Sequence, residues 1–210
     1  MAATHSTIGR IPNLVLVTDR HATAGRNLVD VVTRALGAGL PAVHLRDKDL
    51  PGREIHAIAE RLRAATRSAG ALLYVNDRVD VAVAVEADGV HVGGASLPVD
   101  VARALLPAGM QIGQSTHGLD EVRVSTADFL FFGPVHDTPS KRAFGAPQGM
   151  AQLRQAVAAA RAPVIAIGGL DVGRAAAARN AGAHGIAVVR AILAAGDPAA
   201  ATRDLLAALR

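Results

Sequence analysis

Residues 42–48 read Ala42-Val43-His44-Leu45-Arg46-Asp47-Lys48, a short apolar run ending in three basic side chains spaced by two. Side chains alternate sides along a strand, so a strand ending here places His44, Arg46 and Lys48 on one face. Three cationic groups converging at a strand tip repel one another. A phosphate or pyrophosphate relieves that repulsion. The alternative is a solvated basic turn after a buried strand, and the surrounding chain decides between the two.

Apolar runs of the same kind recur on both sides. They occupy residues 14–18, 72–75, 89–92, 111–115, 129–133, 163–167 and 185–189. Helical patterns separate them. Asn27 opens one that Gly37 and Gly39 stop, and Ile55, Ile58, Ala59, Leu62 and Ala65 share a face in the next. Shorter patterns cover 79–85, a segment begun by Pro98, 119–124, 150–160, 172–181 and 198–209. Near-continuous apolar strands belong to a parallel sheet covered on both faces. Eight regular strand-then-helix units predict a closed (β/α)8 TIM barrel, an α/β fold, rather than an open doubly wound sheet. A single domain over 1–210 is expected, with 1–12 as a flexible N-terminus. The segment after strand six, 134–149, is long for a tight barrel, and such loops are usually functional.

Composition narrows the function. Aromatics make up 2% of the 210 residues, which argues against base-stacking nucleic-acid modules. The net charge of +4 comes from scattered arginines and suits small anionic substrates. Without cysteine there is no disulfide, thiolate nucleophile or Cys-ligated zinc. No apolar run reaches signal-peptide or membrane-spanning length, so a cytoplasmic protein without membrane contact is expected. The sequence leaves a homo-oligomer open.

Active sites of this barrel sit at the C-terminal strand ends. There the sequence offers Thr18, Asp19 and Arg20; His44, Arg46 and Lys48; Asn76 and Asp77; Ser96; Ser115 and His117; Thr138, Ser140 and Lys141; Gly168 and Gly169; and Arg190. Gly168-Gly169, with Val188-Val189-Arg190 after strand eight, matches the usual phosphate seat, where glycines let backbone N–H groups approach an anion. Thr138, Ser140 and Lys141 are suitable phosphate donors. Asp77 either coordinates Mg²⁺ with help from substrate phosphates or caps the helix beginning near residue 79, and spacing favours the cap. His117 and His44 are candidates for proton transfer, since imidazole titrates near neutral pH. His91, inside a strand, reads as a structural histidine.

Seven stretches then resemble one family: VHLRDK (43–48), VNDRVDVAV (75–83), ADGVHVG (87–93), IGQSTH (112–117), FFGPVHDTPSK (131–141), IAIGGL (165–170) and AGAHGIAVVRAI (181–192). Together they resemble the thiamine phosphate synthase / TenI family of thiamine-biosynthesis barrels. The resemblance implies an enzyme acting on a thiazole phosphate, with Arg46, Lys48, Asn76, Ser115, Thr138, Ser140, Lys141, Gly168, Gly169, Val188 and Val189 binding substrate. The synthase branch typically has Gln where this chain has His44, and a second Mg²⁺-ligating Asp where it has Ser96. The TenI branch resembles the chain at both places. The favoured expectation is therefore a thiazole tautomerase that uses His117 and His44 and needs no cofactor. The alternative is thiamine phosphate synthase, which couples a pyrimidine diphosphate to the thiazole phosphate with Mg²⁺ on Asp77. A non-catalytic phosphate-ligand sensor is a third reading.

Overall fold

Each apolar run forms a strand, and the strands pair in chain order until the eighth meets the first. The computed structural model describes residues 9–138 and 146–210. The strands are β1 (Leu14–Val17), β2 (Ala42–Leu45), β3 (Leu72–Asn76), β4 (Gly89–Val92), β5 (Gln111–Thr116), β6 (Phe129–Phe132), β7 (Val164–Ile167) and β8 (Gly185–Val188). All pairings are parallel, and β1 closes onto β8 from Leu14↔Ile186 to Leu16↔Val188. The (β/α)8 barrel expected from the sequence is the fold observed.

The helices are α1 (Leu28–Gly37), α2 (Gly52–Ala69), α3 (Val79–Ala84), α4 (Val99–Leu105), α5 (Leu119–Val124), α6 (Gly149–Ala159), α7 (Val172–Asn180), α8 (Arg190–Leu193) and α9 (Pro198–Ala208). Asn27 caps α1 as predicted, its side chain accepting from the N–H groups of Val29 and Asp30. Helix α8 was not expected. Asp77 is not a cap: Arg78 precedes α3, and no side chain caps that helix. No described helix is long and apolar enough to cross a membrane.

The barrel explains why its strands read as unbroken apolar runs. Outward residues such as Leu16, Val43, Leu73, Ile112, Leu130 and Ile186 join the core shared with the helices. Inward residues Val15, Val17, Ala42, Leu72, Tyr74, Phe129, Phe131, Ile165 and Ala187 form a second cluster inside the barrel. Both faces are dry, so period-two alternation disappears from the sequence. Ile11 packs against the interior cluster, and the Asn13 carbonyl accepts from Ile186 N–H. The Tyr74 hydroxyl donates to Gln111 Oε1 at 2.5 Å. Burial drives the Tyr74 phenol well above its ordinary pKa. Glycine is required at 113, where a Cβ would stand 2.4 Å from both His91 Nδ1 and the Phe129 ring.

Candidate active site

A cavity of about 390 Å³ opens at the C-terminal ends of the strands. Every strand except β4 contributes to its walls. The β7–β8 side is built by backbone. Gly168 and Gly169 take φ of +101° and +64°, a region that side chains other than glycine rarely enter. A Cβ on Gly168 would lie 2.6 Å from Pro134 Cα, and one on Gly169 2.8 Å from His136 Cβ. The chain thus folds tightly against 134–136 and presents bare backbone to the cavity beside Val188 and Val189. That arrangement suits a phosphate group. Arg190 lines the same side and is paired with no carboxylate among the described residues. The sequence grouped it with Gly168-Gly169 and Val188-Val189, and all five line the cavity.

The β2 tip differs from the one-face expectation. Its strand stops at Leu45, and only His44 and Arg46 line the cavity. Lys48 lies in the following turn, with Nζ 2.9 Å from Asp77 Oδ2. The period-two rule fails there because the turn re-aims the chain. A bracing network explains why the tip is ordered. Buried Asp47 accepts from Thr18 Oγ1 at 3.0 Å and Arg20 N–H at 3.1 Å, while Arg46 N–H donates to Thr18 Oγ1 at 2.8 Å. Arg20 reaches on to Asp49 at 2.6 Å. That hydrogen bond holds the Asp49 carboxyl well below its usual range.

Asp77 sits in the left-handed region with φ +61°. Besides Lys48, its carboxylate accepts from Asn76 Nδ2 at 2.6 Å and from Ser96 Oγ. Burial acts to raise the Asp77 carboxyl, but the hydrogen bonds from Ser96 and Lys48 hold it below the ordinary value.

Three histidines meet the cavity or lie under it. His44 is 2% exposed, and neither ring nitrogen has a partner of standard hydrogen-bond geometry. Burial, and then the Arg46 charge, push its imidazole down to about 3. His44 is therefore neutral at physiological pH. It packs 4.7 Å from His91 and edge-on to Phe131 at 5.7 Å. His91 is buried in β4, with Nε2 2.9 Å from Ser115 Oγ, Nδ1 without a hydrogen-bond partner, and its pKa lowered well below 6.5 by burial. His117 Nδ1 lies 2.6 Å from the Gly133 carbonyl oxygen. A carbonyl only accepts, so in the neutral ring Nδ1 carries the proton and Nε2 keeps its lone pair. The His117 backbone N–H is held by Glu121 at 2.7 Å. Asn76, Ser115 and Thr138 also line the cavity. The Ser140 and Lys141 expectations lie outside the described residues.

The sequence profile described as "Thiamine monophosphate synthase" matches residues 14–192. This chain belongs to the thiamine monophosphate synthase family. It is 46% identical over 200 residues to a "Putative thiamine-phosphate synthase" of Geobacter sulfurreducens, covering 94% of each chain. It is 42% identical over 193 residues to the "Thiamine-phosphate synthase" of Roseiflexus castenholzii, covering 90% of this chain and 85% of that one. The solved thiamine phosphate pyrophosphorylase from Pyrococcus furiosus superposes with a TM-score of 0.86 at 36% identity, covering 94% of this chain and 95% of the other. The chain is accordingly an enzyme of the thiamine monophosphate synthase family. The names of its relatives favour the coupling reading over the tautomerase reading that His44 and Ser96 had placed first.

Proposed function

We propose that this chain is a thiamine-phosphate synthase, coupling hydroxymethylpyrimidine diphosphate to thiazole phosphate with release of pyrophosphate. The observation that carries this reading is 42–46% identity, over nearly the whole chain, to relatives named for that activity. The cavity supports it by offering two distinct anion environments. Gly168, Gly169, Val188 and Val189 supply bare backbone for the thiazole phosphate, with Arg190 beside them. Arg46, Asn76 and Thr138 supply charge and hydrogen-bond donors for the diphosphate. Between them, His44 and Phe131 give a neutral, largely apolar wall for the heterocycles.

In the coupling, the carbon–oxygen bond to the diphosphate breaks and pyrophosphate leaves with the electron pair. The thiazole nitrogen then forms the new bond to that carbon. Charge accumulates on the departing pyrophosphate, so preorganised donors aimed at it lower the barrier. Neutral His44 leaves the cation developing on the carbon unopposed by a charged imidazole. Purified protein given both phosphorylated precursors, assayed with and without Mg²⁺, is expected to form thiamine phosphate and pyrophosphate in equal amounts. No coupling under either condition sinks the proposal, and tight thiazole-phosphate binding alone would point to the sensor.

One observation favours a tautomerase as the second reading. The Nδ1–H of His117 is anchored to the Gly133 carbonyl, which leaves Nε2 ready to accept a proton at the cavity wall. In this reading His117→Ala lowers isomerisation of carboxythiazole phosphate at least about a hundredfold. Isomerase activity undiminished in that variant removes the mechanism.

A further inference from the structure

The resemblance that suggested Mg²⁺ on Asp77 can be tested against the donors themselves, and they do not fit a resident metal. Magnesium needs oxygen lone pairs free to face it, usually from one or two carboxylates completed by water and phosphate. At Asp77, Oδ2 already accepts from Asn76 Nδ2 at 2.6 Å and from the Lys48 ammonium at 2.9 Å. Its Oδ1 accepts from Ser96 Oγ. The Ser96 oxygen in turn accepts from Gly93 N–H at 2.6 Å, so the hydroxyl proton is directed at the carboxylate. Neighbouring carboxylates are committed elsewhere. Asp80 pairs with Arg78, and Asp47 belongs to the Thr18–Arg20 network. Among the described residues, no three His, Cys, Asp or Glu side chains converge on a metal position.

We infer that Lys48, Asp77 and Ser96 form a hydrogen-bonded cluster in which the lysine ammonium supplies the positive charge, and that the free protein holds no divalent cation there. A metal entering this position must displace an ammonium already in contact with the carboxylate, and it finds a hydroxyl where a second carboxylate would help. A metal ion accompanying a diphosphate is then part of the substrate. The inference concerns the protein without substrate, so it stands or falls separately from the coupling reaction.

The test is titration of the full chain with Mn²⁺ alone, reading free Mn²⁺ by electron paramagnetic resonance. The wild type is expected to show no stoichiometric site below about 1 mM, whereas Ser96→Asp gains one with affinity raised at least about tenfold. Ser96→Asp/Lys48→Met, which also removes the ammonium, is expected to bind more tightly still. Two results overturn the inference. One is a wild-type site of about 0.1 mM or tighter that Asp77→Asn abolishes. The other is no gain of Mn²⁺ in either Ser96 variant.

Discussion

Arg46→Gln is expected to lower kcat/KM for the coupling roughly a hundredfold, the usual cost of removing one donor aimed at developing negative charge. Arg46 carries this expectation because the neighbouring cations on the β1–β2 side of the rim are committed. Arg20 is held by Asp47 and Asp49, and Lys48 is held by Asp77. Arg46 lines the cavity and is paired with no carboxylate among the described residues. Its backbone N–H is fixed to Thr18, so the side chain departs from an anchored point. A guanidinium also grips two phosphate oxygens at once, which an ammonium cannot, so Arg46→Lys should recover only part of the loss. Lys48→Gln should cost less, about tenfold, because Asp77 already shares its charge. Steady-state kinetics on the three variants checks the order. An Arg46→Gln enzyme within about threefold of wild type would remove Arg46 from the site.

Acidification is expected to destabilise the fold through its buried histidines, and His44→Phe should remove part of that sensitivity. The His44 imidazole is held near 3 in the folded protein against 6.5 in an unfolded chain. Between those values the unfolded state binds the proton and the folded state does not. Stability is therefore full above about pH 6.5 and falls as pH drops toward 3. At pH 5 the loss from His44 is about 2 kcal/mol, since each pH unit inside the window is worth about 1.4 kcal/mol. His91 acts in the same direction, also chiefly through burial. His44 donates and accepts no hydrogen bond of standard geometry, so phenylalanine forfeits little at neutral pH and keeps the ring contacts to His91 and Phe131. Urea unfolding at pH 7.5 and pH 5 measures this. The drop between the two should be about 2 kcal/mol smaller in His44→Phe. An equal drop in both proteins means that His44 is not held neutral.

The fold was legible because a parallel barrel writes itself as eight dry strands separated by helices, and no other common architecture repeats that unit so evenly. What escaped was short or conformational. Helix α8 spans four residues, too few for a 3.6-residue period to register. Lys48 was misplaced because alternation holds only while the strand lasts, and β2 ends three residues earlier. The left-handed backbone at Asp77 left no mark that distinguishes it from a helix cap, since aspartate suits both. Gly168 and Gly169 were readable because glycine advertises such backbone directly. Arg190 was legible with them, since it directly follows strand eight beside the Gly168-Gly169 turn of strand seven.

The packed interior also governs traffic. Beneath the cavity the barrel is filled by Val15, Leu72, Tyr74, Phe129 and Ile165, with Ile11 set against them from below. The cavity is floored by packed side chains, so a ligand reaches it from the strand ends and leaves the same way.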